Sequence, residues 1–198
     1  MLEISHIRKT FHPGTPNEVR ALRGVTLSLE KGTFLIIIGT NGSGKSTLLN
    51  AVAGTFLVDE GTIELGGHSI TRWAEHQRAK LIGRVFQNPF SGTAPTMTIA
   101  ENRALATRRG QRRGLGWALN RGMLGELRDR VRTLNMGLEQ RLENPIGSLS
   151  GGQRQALTLL MALRLKPELL FMEDHMVELD PDSAGHVVRL THGIIERD

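Results

Sequence analysis

Gly39-Thr40-Asn41-Gly42-Ser43-Gly44-Lys45-Ser46-Thr47 decides what kind of chain this is. It matches the pattern G-x-x-x-x-G-K-[ST]. It stands between the β-branched and aromatic run Thr33-Phe34-Leu35-Ile36-Ile37-Ile38, which predicts a strand buried on both faces, and a segment of helical spacing, Lys45–Ala53. Each residue type answers a physical need. Gly39, Gly42 and Gly44 allow positive φ, so that the backbone N–H groups around Asn41 and Ser43 turn inward on phosphate oxygens. The N-terminus of the following helix adds partial positive charge. Lys45 brings a full charge to the β- and γ-phosphates, Ser46 offers a hydroxyl to Mg²⁺, and Thr47 supports the α-phosphate end. The stretch predicts a nucleotide site.

On its N-terminal side, Leu2–Arg8 and Val25–Leu29 alternate as strands do, with turn residues His12-Pro13-Gly14-Thr15-Pro16-Asn17 between them. On its C-terminal side come a short strand at Gly61–Leu65, a polar-faced helix at Ala74–Leu81 and a strand at Ile82–Phe86. From Asn88 to about Asn144 no strand-like run occurs. Thr98–Thr107, Leu124–Leu134 and Leu138–Leu142 read as helical, with glycine joints at Gly110, Gly114, Gly116 and Gly122. A helix from Gly151 to about Leu165, a break at Pro167, a buried strand at Leu169–Met172 and a helix from Pro181 to Glu196 complete the chain. One domain over 1–198 is expected, an α/β core with a helical subdomain inserted at roughly 88–150.

With 198 residues, 39% hydrophobic and 23% charged, the chain falls in the globular range. Phe34–Ile38 is far short of the ~20 apolar residues of a spanning helix, and Met1–His6 carries an early acid, unlike a signal peptide. Any membrane role is therefore expected to be peripheral. Cysteine is absent, which excludes disulfides and thiolate metal sites within the sequence. The net charge of +5 is concentrated: Arg103, Arg108, Arg109, Arg112, Arg113 and Arg121 lie in a stretch without an acid. Its first reading is a solvated helical face, its second a contact with the loops of a membrane-bound partner or with anionic headgroups. Nucleic acid comes last, since only Trp117 interleaves with the arginines.

A phosphate loop serves kinases, GTPases, helicases and transport ATPases alike. Leu149-Ser150-Gly151-Gly152-Gln153, followed by Arg154, separates them. Ser150 offers a hydroxyl, and Gly151 and Gly152 offer open N–H groups at a helix N-terminus, which makes a second anion site in one chain. The stretch resembles the signature motif of ATP-binding cassette (ABC) proteins, and the resemblance spans the whole sequence. It implies a P-loop NTPase (RecA-like) core with an N-terminal antiparallel β subdomain and an inserted α-helical subdomain. It implies that Phe11 stacks on adenine, that Gln87 in Val85-Phe86-Gln87-Asn88-Pro89 contacts the metal and joins core to helical subdomain, and that Glu173-Asp174 ends the Walker B strand. Asp180, in Glu178-Leu179-Asp180, falls at the D-loop. Ser150, Gly151, Gly152 and Gln153 would serve the ATP of a partner subunit in a head-to-tail dimer. Arg84–Pro89 with Gly92–Thr98 is similar to ATP-binding subunits of bacterial amino-acid (tryptophan/tyrosine-type) importers. The implied role is an Mg-ATP-driven motor bound to permease subunits at the cytoplasmic face of the membrane, with no nucleic acid expected.

Two departures stand out. The family orders Asp before Glu at Walker B, so that Asp holds the Mg²⁺ shell and Glu polarises water. Here Glu173 takes the metal position and Asp174 the water position, each off by a methylene, about 1.5 Å of reach. Since a misplacement of about 1 Å can cost ~10²-fold, slow hydrolysis is expected. The family's switch histidine lies on a strand beyond the last helix. This sequence stops at Asp198, and His186 and His192 do not fit that role, so the resemblance implies a truncated C-terminus and an unpaired sheet edge. A soluble ABC-type ATPase acting on DNA or the ribosome is the competing class. It predicts heptads or a second cassette, and the sequence has neither.

Overall fold

A computed structural model of the chain describes residues 1–33, 35–86, 88, 90–109 and 121–172. They fall into two units that divide between Ile82 and Gly83.

In the first unit, strands β1 (Leu2–Phe11), β2 (Val19–Leu29), β3 (Glu60–Leu65) and β4 (His68–Ser69) form an antiparallel sheet in the order β2-β1-β3-β4. Leu2 and Ile4 of β1 lie between Leu29 and Leu27 of β2 on one side and Leu65 and Ile63 of β3 on the other. Leu2, Ile4, Ile63 and Leu65 share one buried face, as period-2 alternation requires. The alternation breaks after Ile4, where His6 takes φ 50° and the register shifts before Ile7 returns to the core. That bulge dictates Gly61, at φ 86°, whose Cβ would run into the carbonyls of Ser5 and His6. Helix α1 (Lys45–Ala53) coincides with its sequence expectation and buries Ala51, Val52 and Ala53. It ends on Gly54 in the left-handed region, whose N–H closes on Asn50 O at 2.9 Å. The short helix α2 (Glu75–Arg78) carries the fully buried Arg78. No carboxylate meets this guanidinium among the described residues. Its Nε donates to Trp73 O (2.9 Å), its Nη1 to Ala51 O (2.7 Å) and Val52 O (2.9 Å), and its Nη2 to Thr71 O (2.9 Å).

One strand expectation fails. Thr33 and Leu35–Ile38 are not in a strand, and Leu35, Ile36 and Ile38 are 42%, 51% and 86% exposed rather than buried. No described strand pairs with them. β-propensity measures fit to a half-buried pleated surface, so without a ladder partner the run forms no strand.

Strand β5 (Ile82–Val85), in the second unit from Gly83 on, pairs there with β6 (Leu169–Met172). Between them lie α3 (Ile99–Thr107), α4 (Arg121–Arg132), α5 (Gly151–Leu163) and 3₁₀ turns at Leu138–Gln140 and Ile146–Ser148. Ile99, Leu127, Val131, Leu138, Ile146 and Leu157 form their common core. Helix α3 starts on a capping box: Thr98 Oγ1 accepts from Glu101 N at 3.1 Å, and Glu101 Oε2 accepts from Thr98 N at 2.7 Å. The basic stretch is not simply a solvated face. Arg103 is buried, donates to Thr107 Oγ1 at 2.6 Å and lies 3.8 Å from Glu126, and burial lowers its pKa to about 10. Arg109 donates to Ala162 O at 3.4 Å. No helix among the described residues is long and apolar enough to cross a membrane.

Candidate nucleotide site

The phosphate loop sits where strand-like sequence passes into α1. Gly42 (φ 81°) and Gly44 (φ 94°) occupy the left-handed region, and Gly44 is the N-cap of α1. A Cβ on Gly44 would stand 2.8 Å from Ala21 O of β2, so no other residue fits without moving the sheet. Ser43 N donates to Thr40 O at 3.2 Å, which closes the turn. Lys45 Nζ donates to the Gly39 carbonyl and to Thr40 O (2.8 Å), so the loop's own backbone holds the ammonium in place. Asn41 and Ser46 are exposed, and Thr47 lies half-buried in the first turn of α1.

A cavity of about 560 Å³ runs along this loop, bounded by Arg20, Leu22, Arg23, Ile37, Lys45 and Leu48 among others. That volume falls in the range of cofactor pockets. Three of its lining residues are cationic and none is acidic. A cationic cavity, positive-φ glycines and a helix N-terminus fit a polyphosphate.

Phe11 closes β1 and is half-buried. Its ring meets Phe56 edge-on, with centroids 5.2 Å apart and planes at 83°. Lys9 Nζ lies 5.7 Å from the Phe11 centroid and 5.6 Å from that of Phe56, and donates to Asp59 Oδ1 at 2.7 Å. This Lys9 contact and the Thr10 N–H (2.7 Å) hold the Asp59 carboxyl below its ordinary 3.8. Sequence reasoning missed Phe56, Lys9 and Asp59. The only available signal was an isolated aromatic just past the glycine that ends α1.

The signature lies in the second unit. Ser150 is the N-cap of α5: its Oγ accepts from Gln153 N (3.3 Å), and Gln153 Oε1 accepts from Ser150 N (3.2 Å). Ser150, Gly151 and Gly152 are exposed, and a Cβ on either glycine would meet nothing within 4 Å. Arg154, also missed, is buried beneath the turn. Gln87, Glu173, Asp174 and Asp180 lie outside the described residues.

The sequence family described as ABC transporter matches residues 22–176. The tyrosine transport ATP-binding protein of Clostridioides difficile (strain R20291) is 38% identical over 197 residues, covering 98% of this chain and 77% of the relative. A lipoprotein-releasing system ATP-binding protein, LolD 1, of Caulobacter vibrioides is 33% identical over 194 residues, covering 96% and 79%. Among solved structures, a dimeric bacterial ABC transporter cassette superposes with a TM-score of 0.77 at 25% identity, covering 100% of this chain and 84% of that one. Likeness of this depth over nearly the whole sequence, on a fold that presents a phosphate loop and a capped Ser-Gly-Gly turn, leaves one assignment: the chain belongs to the ABC transporter family, as an ATP-hydrolysing subunit that drives transport.

Proposed function

We propose that the chain powers uptake of an amino-acid-type solute, working as a head-to-tail homodimer bound to permease subunits at the cytoplasmic face of the membrane. One observation carries the dimer. The chain presents two helix N-termini whose donors suit an anion: the phosphate loop, with its full charge on Lys45, and the exposed Ser150–Gly152 turn, made of hydroxyl and N–H donors. One nucleotide per chain occupies the first, and the second is left for the nucleotide of a partner. A bacterial ABC transporter cassette among the solved structures is dimeric, which supports a dimer here, and the relative named for tyrosine transport supports an amino-acid-type solute.

In this arrangement Phe11, steadied by Phe56, packs on adenine, and Gly39–Thr47 wraps the phosphates. When bound, Mg²⁺ neutralises phosphate charge, and Ser46, Gln87 and Glu173 would hold it. Asp174 orients the attacking water, and Gln153 and Asp180 face the partner. The reversed order of Glu173 and Asp174 makes hydrolysis slow.

Sedimentation with Mg²⁺ and a non-hydrolysable ATP analogue tests the dimer. The parent should dimerise, and Ser150→Arg should stay monomeric while still binding one nucleotide by calorimetry. A Ser150→Arg dimer as stable as the parent's refutes the head-to-tail model. In proteoliposomes with the permease, ATP should draw tyrosine or tryptophan toward the side that carries this chain. Movement away from it assigns release, as the lipoprotein-releasing relative's name describes for that protein.

A further inference from the structure

Arg154 occupies the first turn of α5, directly after the signature, and is only 6% exposed. A cation there opposes the helix dipole, and no carboxylate pairs with it among the described residues. Its partners are carbonyls of the chain that leads into Ser150: Nε donates to Ile146 O (3.4 Å), and Nη2 donates to Gly147 O (3.3 Å) and Leu149 O (2.7 Å). The same short segment is held from its other side, where Ile146 N donates to Met97 O and Gly147 N to Pro95 O, both at 3.0 Å. One guanidinium thus sets the direction from which the backbone enters the Ser150 cap.

An aromatic ring in turn covers one face of the guanidinium. Its central carbon lies 3.6 Å from the centroid of the Phe90 ring. Phe90 is 44% exposed. It sits in a turn fixed by Asn88, whose Oδ1 accepts from Phe90 N at 3.0 Å and whose carbonyl accepts from Ser91 N at 2.9 Å.

We propose that Arg154 is a positioning residue for the signature turn, and that Phe90, stacked on its guanidinium, locks the Ser150–Gly152 donors in the shape that receives a phosphate. The inference rests on the reading of that turn as the site for the partner's nucleotide. Phe90 and Arg154 both belong to the second unit, and the phosphate loop belongs to the first. The stack should therefore govern the meeting of two chains and leave the binding of ATP to one chain alone.

Three measurements on Phe90→Leu, Phe90→Trp and Arg154→Lys test this. The first is amide exchange at Gln153 and Arg154, whose N–H groups bond to Ser150 Oγ and Ser150 O. The others are single-chain ATP affinity by calorimetry and the ATP-driven dimer constant by sedimentation. Cation–π contacts of this kind correspond to roughly five- to thirtyfold in an equilibrium constant. Phe90→Leu should speed exchange at both amides by about tenfold and weaken the dimer by a similar factor, with single-chain affinity unchanged within about twofold. Exchange at Asn102, bonded to Thr98 O in α3, should stay as in the parent. Phe90→Trp should restore both affected values. Arg154→Lys, which keeps the charge but loses the planar fork, should not. Unchanged exchange at Gln153 and Arg154 in Phe90→Leu overturns the inference. So does a loss of single-chain ATP affinity that keeps step with the loss of dimer. If the parent fails to dimerise, or Ser150→Arg dimerises equally well, the head-to-tail reading fails, and the exchange data still decide the stack.

Discussion

Replacing Arg78 by Met isolates what a buried cation contributes to the helix that carries the phosphate loop. The Met side chain keeps most of the apolar stem and removes the guanidinium. Two of the four carbonyls that lose their donor, Ala51 O and Val52 O, belong to the last turn of α1, where intrahelical partners run out. The other two, Trp73 O and Thr71 O, hold the chain around β4 and α2. An orphaned buried acceptor costs about 1–3 kcal/mol, which for four would give about 4–12 kcal/mol. Two effects reduce that sum. Relaxation lets water reach some of the four, and the variant no longer desolvates a charge, the burial that lowers the Arg78 pKa. A net loss of about 2–4 kcal/mol remains. In a chain of this length, 1 kcal/mol moves Tm by roughly 2–4 °C, so Arg78→Met should melt about 5–15 °C lower. Gly54 adds a second check. A Cβ there would lie 2.8 Å from Arg78 Nε and 2.9 Å from Cδ, at φ 86°. Gly54→Ala should therefore cost less in the Arg78→Met background than alone, because the collision is gone and only the backbone strain is left. Differential scanning calorimetry on the four proteins gives both numbers. A Tm for Arg78→Met within about 1 °C of the parent would refute the idea that these bonds are net stabilising.

Gly44→Ala places a Cβ against Ala21 O at φ 94°, strain of about 1–3 kcal/mol at the cap of the phosphate helix. ATP affinity should fall by more than about tenfold, read by calorimetry. The exchange Glu173→Asp with Asp174→Glu should speed hydrolysis and change ATP affinity little, in a phosphate-release assay. An unchanged or lower rate would mean that the backbone already compensates for the reversed order. Asp59→Ala should destabilise above about pH 4 and progressively less in acid. The folded pKa of Asp59 lies below its unfolded value, so its contribution is complete above about pH 4 and vanishes as pH falls through the folded value. Melting curves of parent and variant should separate at neutral pH and draw together in acid, as pH falls through the lowered folded pKa of Asp59.

The phosphate loop and the signature were legible in sequence because each is a local backbone problem. A left-handed turn needs Gly42 and Gly44, and a helix start needs Ser150 with Gln153 three residues on. Their residue types are dictated within a few positions. The same holds for Thr98 with Glu101, whose capping box explains where α3 begins. What could not be read depends on distant partners. Phe56 meets Phe11 from 45 positions away, and Arg78 caps a helix that ended 25 residues earlier. Neither follows from periodicity. The run Leu35–Ile38 misled for the complementary reason: its composition states how well it would suit a ladder, and no described strand supplies one.

The hydroxyl of Ser150 is spent only in part. Its oxygen accepts the Gln153 N–H and so starts α5, while a hydroxyl still has one proton to give and a second lone pair. In the proposed head-to-tail dimer, an arriving phosphate oxygen would accept a hydrogen bond from that hydroxyl without disturbing the cap, and its departure would leave the helix start intact. Association and release at this turn would then need no refolding, and the turn would end each cycle with the geometry it began with. An Asp at this position would start the helix equally well, yet it would have no proton to offer and would carry a charge of the wrong sign. Good capping and good anion binding are separate properties here, and the serine hydroxyl supplies both from one atom.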